Sequence, residues 1–251
     1  MPTRPLFDNR THRNLLLPEY GSGQAVQANQ HLVIHDGAGM ILDPGGHKVF
    51  PAAMTETNAV LGKGSLRVIF FSHQDPDIVA AANGWLMTTD AVAYVSQLWI
   101  RFVPHFGLDQ LVVERLRPIP DEGMWIDLNG ARLAFVPAHF LHSPGNHQVW
   151  DPQSRILYTG DLGASLGAPY DEVADFDAHL PFMEGFHRRY IASGRAMKAW
   201  ASMARQLDPE VLAPQHGALL RGRENVRRFI DWAEQLDCGV DLIPSTYVLP
   251  A

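Results

Sequence analysis

Three segments of the sequence place histidine or aspartate directly after an apolar run. The first extends from Phe71 to Ile78, the second from Phe140 to Asp161 with one further strand inside it, and the third from Leu212 to Gly217. Because the end loops of neighbouring strands can meet at one edge of a sheet, these distant side chains can share a site. Imidazole nitrogen and carboxylate oxygen together suit iron, manganese or zinc. The candidate metal ligands are His73, Asp75, Asp77, His142, Asp161 and His216.

Apolar runs and turn residues predict hairpin-grouped strands followed by a mixture of strands and helices. Strands are predicted over 30–36, 39–43, 66–71, 91–95, 110–117, 123–128, 131–136, 155–159 and 211–213. Helices are predicted over 78–87, 97–106, 191–207 and 225–236, the first of them capped by Asp75 and opened by Pro76. This order predicts an α+β fold with two β-sheets sandwiched between helices. No repeat or linker divides residues 1–251, so one domain is expected.

The charge balance excludes several classes of partner. The 20 Lys and Arg residues are scattered among 27 Asp and Glu residues, and the net charge is −7, which argues against a nucleic-acid or anionic-membrane surface. Cys238 is the one cysteine, so thiolate metal sites are excluded and a buried apolar role is expected for it. Without a signal-peptide core or a run of the ~18 apolar residues that a membrane span needs, the protein is expected to be cytoplasmic.

The six candidate ligands resemble the metallo-β-lactamase superfamily, whose signature is H-x-H-x-D-H followed by His, Asp and His. The similarity is greatest to the flavodiiron branch, in which the second histidine is replaced by an acid. In that pattern His73, Asp75 and Asp77 match the first segment, and His142, Asp161 and His216 match the later positions. Asp161 follows His142 by nineteen residues (161 − 142), as is typical of that branch. The resemblance extends from about residue 30 to the last helix and implies an αβ/βα sandwich of two mixed sheets.

The resemblance also implies how the ligands divide between two metals. The first metal would take His73, Asp75 and His142, the second would take Asp77 and His216, and Asp161 would bridge them. Two residues depart from the family pattern. Asp75 is one methylene shorter than the usual glutamate but keeps an anionic oxygen. Ile78 replaces the sixth-position histidine, so the second metal is expected to lack one protein ligand and to leave room for water or dioxygen. Asp161 and Ile78 are therefore the residues expected to control reactivity.

The donor set favours iron. Three carboxylates and three imidazoles suit a harder, redox-active ion than the histidine-rich set of zinc hydrolases does. Two ferrous ions with three carboxylates carry a formal charge of +1, and so do two ferric ions with an oxo bridge. We therefore expect two iron ions joined by an oxo or hydroxo bridge, with zinc or manganese able to replace them in recombinant protein.

The resemblance implies a non-heme diiron protein that binds dioxygen, as a sensor or scavenger, or that reduces dioxygen or nitric oxide. Full flavodiiron enzymes carry an FMN-binding flavodoxin domain after this fold. The chain ends without one, so no bound FMN is expected, and electrons would come from an external flavoprotein or rubredoxin. The resemblance further implies a homodimer. The alternative is a dinuclear-metal hydrolase of thioesters, lactones or phosphodiesters that uses a bridging hydroxide. A purely structural metal is disfavoured, because structural sites are closed.

Other histidines could compete for a place in the site. His139 and His147 flank His142 and could take its place, although a supporting or surface role is favoured for both. His31 and His35 share one face of a predicted strand and are expected to be polar-face residues. Gly21 to Gly23 is expected to be a turn rather than a phosphate-binding loop. No constellation surrounds the remaining histidines, which are His12, His47, His105, His179 and His187.

Overall fold

The computed structural model describes residues 2–21, 26–245, 247 and 249. Residues 22 and 23 of the predicted glycine turn therefore lie outside the described residues. The first sheet has seven strands whose spatial order follows the chain. The first four strands pair antiparallel, and the last four pair parallel. They are β1 (Arg4–Asp8), β2 (His12–Leu16), β3 (His31–His35), β4 (Ala38–Leu42), β5 (Ser65–Phe70), β6 (Val92–Ser96) and β7 (Leu116–Ile119).

The second sheet has six strands in the spatial order β13-β12-β11-β10-β9-β8. All neighbours pair antiparallel except β11 and β12, which are parallel. The strands are β8 (Met124–Leu128), β9 (Ala131–Pro137), β10 (His147–Asp151), β11 (Ile156–Gly160), β12 (Val211–Pro214) and β13 (Leu220–Arg221).

Helices cover the outer face of each sheet. Those beside the first sheet are α1 (Phe50–Leu61), α2 (Pro76–Val79), α3 (Ala82–Thr88) and α4 (Gln110–Val113). Those beside the second sheet are α5 (Phe176–Tyr190), α6 (Gly194–Leu207) and α7 (Arg223–Gln235). Among the described helices, none has the length and apolar character that crossing a membrane requires. The predicted αβ/βα sandwich of two mixed sheets is confirmed.

Strand β5 is apolar and buried in its second half, residues 68–70, where both of its faces are covered, whereas Arg67 before it is exposed. Val68 and Phe70 point into the cluster between the two sheets, where Phe70 stacks on Phe135 with ring centroids 4.9 Å apart. Ile69 and Phe71 belong to the cluster between the first sheet and its helices. Because successive strand residues point to opposite faces, a strand that is covered on both faces needs apolar side chains at every position.

Several predicted elements were wrong in type or extent. Residues 110–117 are not one strand, since the Asp109 carboxylate accepts the Leu111 N–H at 2.9 Å and starts α4 before β7 begins. A short apolar run does not by itself distinguish a strand from a helix. Residues 97–106 form turns and a 3-10 helix at Val103–Phe106 rather than one helix. The predicted helix over 78–87 is divided into α2 and α3.

Candidate metal centre

The six candidate ligands come equally from the two sheets. His73, Asp75 and Asp77 lie in the connection from β5 through α2. The other three follow strands of the second sheet: His142 lies between β9 and β10, Asp161 directly after β11, and His216 just after β12. Strand ends of both sheets therefore converge on one edge of the sandwich, as the sequence predicted for these residues.

Four of the six residues form a compact group. His73, Asp75, His142 and Asp161 each offer one ligand atom, and these atoms lie within 4.8 Å of one another. His142 Nε2 is 3.3 Å from Asp75 Oδ2 and 3.2 Å from Asp161 Oδ2. His73 Nε2 is 3.6 Å from Asp75 Oδ2 and 3.8 Å from Asp161 Oδ2. With bonds of roughly 2.0–2.2 Å to a shared ion, ligand atoms are expected at about this spacing.

The other oxygen of Asp161 faces a second group. Its Oδ1 lies 3.6 Å from His216 Nε2, which is 3.3 Å from Asp77 Oδ2. Asp161 is almost fully buried, and its Oδ1 has no hydrogen-bond partner among the described residues. A buried carboxylate oxygen without a donor is costly unless a cation or water lies against it. The two oxygens of Asp161 thus face two separate sets of ligands, an arrangement that fits a pair of metal ions.

Neighbouring groups fix which ring nitrogen of the histidines faces the centre. His73 Nδ1 lies 2.9 Å from Ser72 Oγ, and His216 Nδ1 lies 2.5 Å from the backbone oxygen of Gln27. If each Nδ1–H donates to its partner, Nε2 is left free to bind a metal. Such outer hydrogen bonds commonly orient ligand imidazoles. The Ser72 N–H in turn donates to the buried Asp43 carboxylate at 2.8 Å, and burial raises the pKa of Asp43 to about 6.

Without metal, the ligands stabilise one another as ions. Burial by itself would lower the pKa of His142, but hydrogen bonds with Asp161 and Asp75 outweigh it and raise this pKa to about 10. Burial likewise opposes the charged form of His216, yet Asp77 and Asp161 raise its pKa to about 9. The pKa of His73 is also raised against the effect of burial, mainly by Asp161. Protons therefore occupy the imidazoles where metal ions would bind.

The pKa values of the two carboxylates between these imidazoles, Asp75 and Asp161, are lowered. Burial would raise the pKa of Asp75, but hydrogen bonds from His142 and His73 lower it. Burial would also raise the pKa of Asp161, but the charge of His73 and the hydrogen bond from His142 lower it. Both groups are thus anionic at neutral pH, as metal binding requires.

A cavity of about 680 Å³ opens beside the ligands. The ligands Asp75, Asp77, His142, Asp161 and His216 are part of its lining. The rest of the wall is largely apolar, and its side chains include Val26, Ala28, Val49, Pro76, Ala80, Leu166, Phe186 and Tyr190. Two aromatic rings of α5 are part of this wall. Phe186 and Tyr190 stack with centroids 4.7 Å apart and meet the His142 ring edge-on at 6.4 and 6.0 Å.

Ile78 does not line this cavity. It is fully buried on α2, among the apolar side chains between the first sheet and its helices. It lies one residue after Asp77, on the side of the ligand loop that faces the core.

The competing histidines have partners away from the ligand groups. His139 Nε2 lies 2.7 Å from the backbone oxygen of Asp121, and His147 lies on β10 between the backbone oxygens of Gly145 and Pro120. His31 and His35 were both predicted to lie on a polar face of the strand. His35 is half-buried, but His31 is buried, so the prediction is wrong for His31.

For His12 and His187 the sequence indicated no interacting groups, but the structure gives both of them polar partners. His12 Nε2 is 2.7 Å from the buried Asp151 carboxylate, and His12 Nδ1 is 3.1 Å from His35 Nδ1. His187 accepts the Gly163 N–H at 2.9 Å, two residues beyond Asp161. The other three histidines differ in exposure. His47 is exposed and is part of the cavity lining, His105 is exposed, and His179 is buried beside Tyr170.

Sequence reasoning also missed residues that support the ligands. Gln215 Nε2 donates to Asp77 Oδ2 at 3.2 Å, and the Gln27 backbone holds His216. Gln215 directly precedes a ligand, which could have singled it out. Gln27 lies 189 residues from His216 in sequence and carried no such signal.

Comparison with known proteins agrees with this geometry. The family model described as ODP family beta lactamase matches residues 26–217. A solved structure of the peroxy diiron species of the chemotaxis sensor ODP is 39% identical, with a TM-score of 0.88, and the match covers 98% of this chain and 100% of that one. The apo state of that sensor from T. denticola is also 39% identical, with 98% and 99% coverage and a TM-score of 0.86.

A more distant structure shares the fold. The rubredoxin:oxygen oxidoreductase from Desulfovibrio gigas is 14% identical, with a TM-score of 0.76, and the match covers 92% of this chain and 62% of that one. The search of curated proteins finds no match. The family model covers most of the sequence, and the ODP sensor structures extend over nearly all of it. The chain therefore belongs to the ODP family of beta lactamases.

Proposed function

We propose that this chain is a non-heme diiron protein that binds dioxygen at the centre built on Asp161. The observation that carries the proposal is the division of the Asp161 carboxylate, with Oδ2 at 3.2 Å from His142 and Oδ1 at 3.6 Å from His216. One metal would be held by His73, Asp75 and His142, and the other by Asp77 and His216. The likeness to a diiron chemotaxis sensor at 39% identity supports the same assignment.

Ferrous iron held by these residues would supply the electrons for binding dioxygen, and the surrounding side chains would control that chemistry. Asp161 keeps the two ligand groups close enough for one diatomic molecule to lie between them. Ser72 and the Gln27 backbone hold two imidazoles with Nε2 toward the centre. The cavity wall beside the ligands is largely apolar, and Leu166 and Phe186 are part of it. An apolar pocket favours a small neutral ligand over a charged one.

Several finer assignments belong to this proposal. Iron is the native metal, and zinc or manganese can replace it in recombinant protein. The role is that of an oxygen sensor or scavenger. Reduction of dioxygen or nitric oxide would draw on an external flavoprotein or rubredoxin, without FMN on this chain. The chain acts as a homodimer, with residues 1–251 folding as one domain.

The test is to load metal-free protein with two equivalents of ferrous iron under argon and mix it rapidly with dioxygen. The proposal expects a visible absorption band that grows with dioxygen concentration and is missing from zinc-loaded protein. The Asp161→Ala variant, treated identically, should give no band. If iron-loaded wild type gives no absorption change while zinc-loaded protein hydrolyses a thioester or lactone, the dioxygen proposal is wrong and the hydrolase alternative is correct.

A further inference from the structure

Residues 27–29, which lie shortly before β3, contact the loop that carries His216. Two of their side chains, Gln27 and Asn29, hold that loop through a set of hydrogen bonds. The Asn29 N–H donates to Gln215 O at 2.5 Å, and Asn29 Nδ2 donates to the backbone oxygens of Pro214 and Gly217, each at 2.9 Å. Gln27 accepts the Gly217 N–H on its side-chain oxygen at 2.6 Å and donates to Asn29 Oδ1 at 2.7 Å. We call Gln27 and Asn29 the clamp.

The clamp controls the ring of His216 rather than only its backbone. The His216 backbone has other support, because the Ser165 N–H donates to its carbonyl at 3.2 Å. The imidazole Nδ1, by contrast, is held by the backbone oxygen of Gln27 at 2.5 Å. With Nδ1–H donated there, Nε2 is the nitrogen left for Asp77 and Asp161.

The clamp also reaches the other ligand of the same group. Asp77 is the most exposed of the ligands, with 45% of its side chain accessible, and the Gln215 side chain donates to it at 3.2 Å. The backbone oxygen of Gln215 is in turn held by the Asn29 N–H. Both protein ligands that face Asp161 Oδ1 therefore depend on contacts with one short segment.

The ligands that face Asp161 Oδ2 depend on different contacts. His73 is 1% exposed and rests on Ser72, which is held by Asp43. No described hydrogen bond links Gln27 or Asn29 to His73, Asp75 or His142. This group also has more candidate ligands. Three residues and the shared Asp161 lie around Oδ2, whereas only Asp77 and His216 accompany Asp161 on the other side.

We propose that Gln27 and Asn29 are positioning residues for the second metal only, so that loss of the clamp removes that metal while the first remains bound. The proposal rests on the two-metal site proposed above. Supporting residues around a metal ligand typically contribute 10- to 100-fold in metal affinity. The clamp thereby makes the two positions unequal, and the second is the one that a change in the β2–β3 connection would empty.

The experiment titrates metal-free protein with Co²⁺ and measures two stepwise dissociation constants by calorimetry, with bound metal counted after dialysis. Asn29→Ala should weaken the second step by about 10- to 100-fold and leave the first within about twofold. Gln27→Ala, which keeps the backbone oxygen on His216, should act in the same direction but less. Nitrogen NMR of metal-free Asn29→Ala should show His216 Nδ1 losing its hydrogen-bonded shift.

Asn14→Ala is the matched control. Asn14, like Asn29, is a buried asparagine, and it donates to Asp151 and Tyr158 at 2.7 and 2.8 Å, away from the ligand loops. It should lower the urea midpoint while leaving both cobalt steps unchanged. Equal weakening of both steps in Asn29→Ala, or an unchanged second step, would overturn the clamp proposal. Wild-type protein that binds a single Co²⁺ would instead refute the two-metal site itself. If Asn29→Ala does not fold, the milder Gln27→Ala variant decides by the same two constants.

Discussion

Removing the metals should leave a protein whose stability falls as the pH rises above 6.5. His142 and His216 have folded-state pKa values of about 10 and about 9, against an unfolded value near 6.5. A raised pKa of this kind adds stability that is complete below pH 6.5 and is lost as the pH approaches the folded value. The metal-free protein should therefore be more stable at pH 6.5 than at pH 8.

The size of the loss follows from these values. Each group contributes about 1.36 kcal/mol per pH unit while only the folded state holds its proton. Two groups over the 1.5 units from pH 6.5 to 8 give at most about 4 kcal/mol. His142 and His216 are mostly buried, but their partners Asp75 and Asp77 are 32% and 45% exposed. Solvent screening around those carboxylates reduces the expected loss to roughly 2–3 kcal/mol.

The assay is urea unfolding of chelator-treated protein at pH 6.5, 7.3 and 8.0. His105→Gln, which changes an exposed histidine far from any described partner, is the control and should follow wild type. Metal-loaded protein should not show this fall, because metal ions replace the protons on the imidazoles. Metal titration in weak buffer at pH 7.5 should therefore release up to two protons, one each from His142 and His216. A free energy of unfolding that stays flat or rises from pH 6.5 to 8, or metal uptake without proton release, would refute this reasoning.

Three further outcomes are expected. Elemental analysis should show that Asp161→Ala loses both metals together, whereas the control Asp90→Ala, at an exposed aspartate, retains two. Full metal content in Asp161→Ala would show that another residue bridges the metals. Ile78→His puts a polar ring into the apolar core outside the cavity, so it should lower the urea midpoint and leave the reaction of the folded ferrous protein with dioxygen at the wild-type rate in rapid mixing, and a slower reaction would show that residue 78 reaches the centre. Between pH 6.5 and 4 the wild type should lose stability, because burial lowers the pKa of His187 to about 4 and only the unfolded state gains the proton. His187→Gln should reduce that loss by up to about 3 kcal/mol in urea unfolding. A variant with the same pH dependence as wild type would argue against this role of His187.

The sequence predicted the architecture and the candidate ligands because both depend on local patterns. Buried strands such as β4 are continuous apolar runs, and each candidate ligand lies in a segment that follows a strand. Strand β10 was missed because His147 and Gln148 make it look polar. Both are fully buried, and Gln148 is satisfied by the Thr159 carbonyl and the Trp200 indole, partners that only the tertiary structure supplies.

Helix α5 was missed for a related reason. Pro181 lies inside it, and proline in a sequence pattern usually signals a helix boundary. The helix nevertheless begins at a capped residue, since the Asp175 carboxylate accepts the N–H groups of Asp177 and Ala178. The clamp was likewise beyond prediction, because Gln27 and Asn29 act on residues more than 180 positions away.

The equal contribution of ligands from both sheets has a consequence for how the protein assembles. His73 and His216 are 143 residues apart (216 − 73), so neither metal position exists until both halves of the sandwich have docked. Contacts between such distant residues form late in folding, because the chain entropy of closing the long loop is lost before they form. A nascent or partly folded chain therefore offers a metal ion only isolated, weak ligands. Tight metal binding at this centre is then expected only from chains that have completed folding.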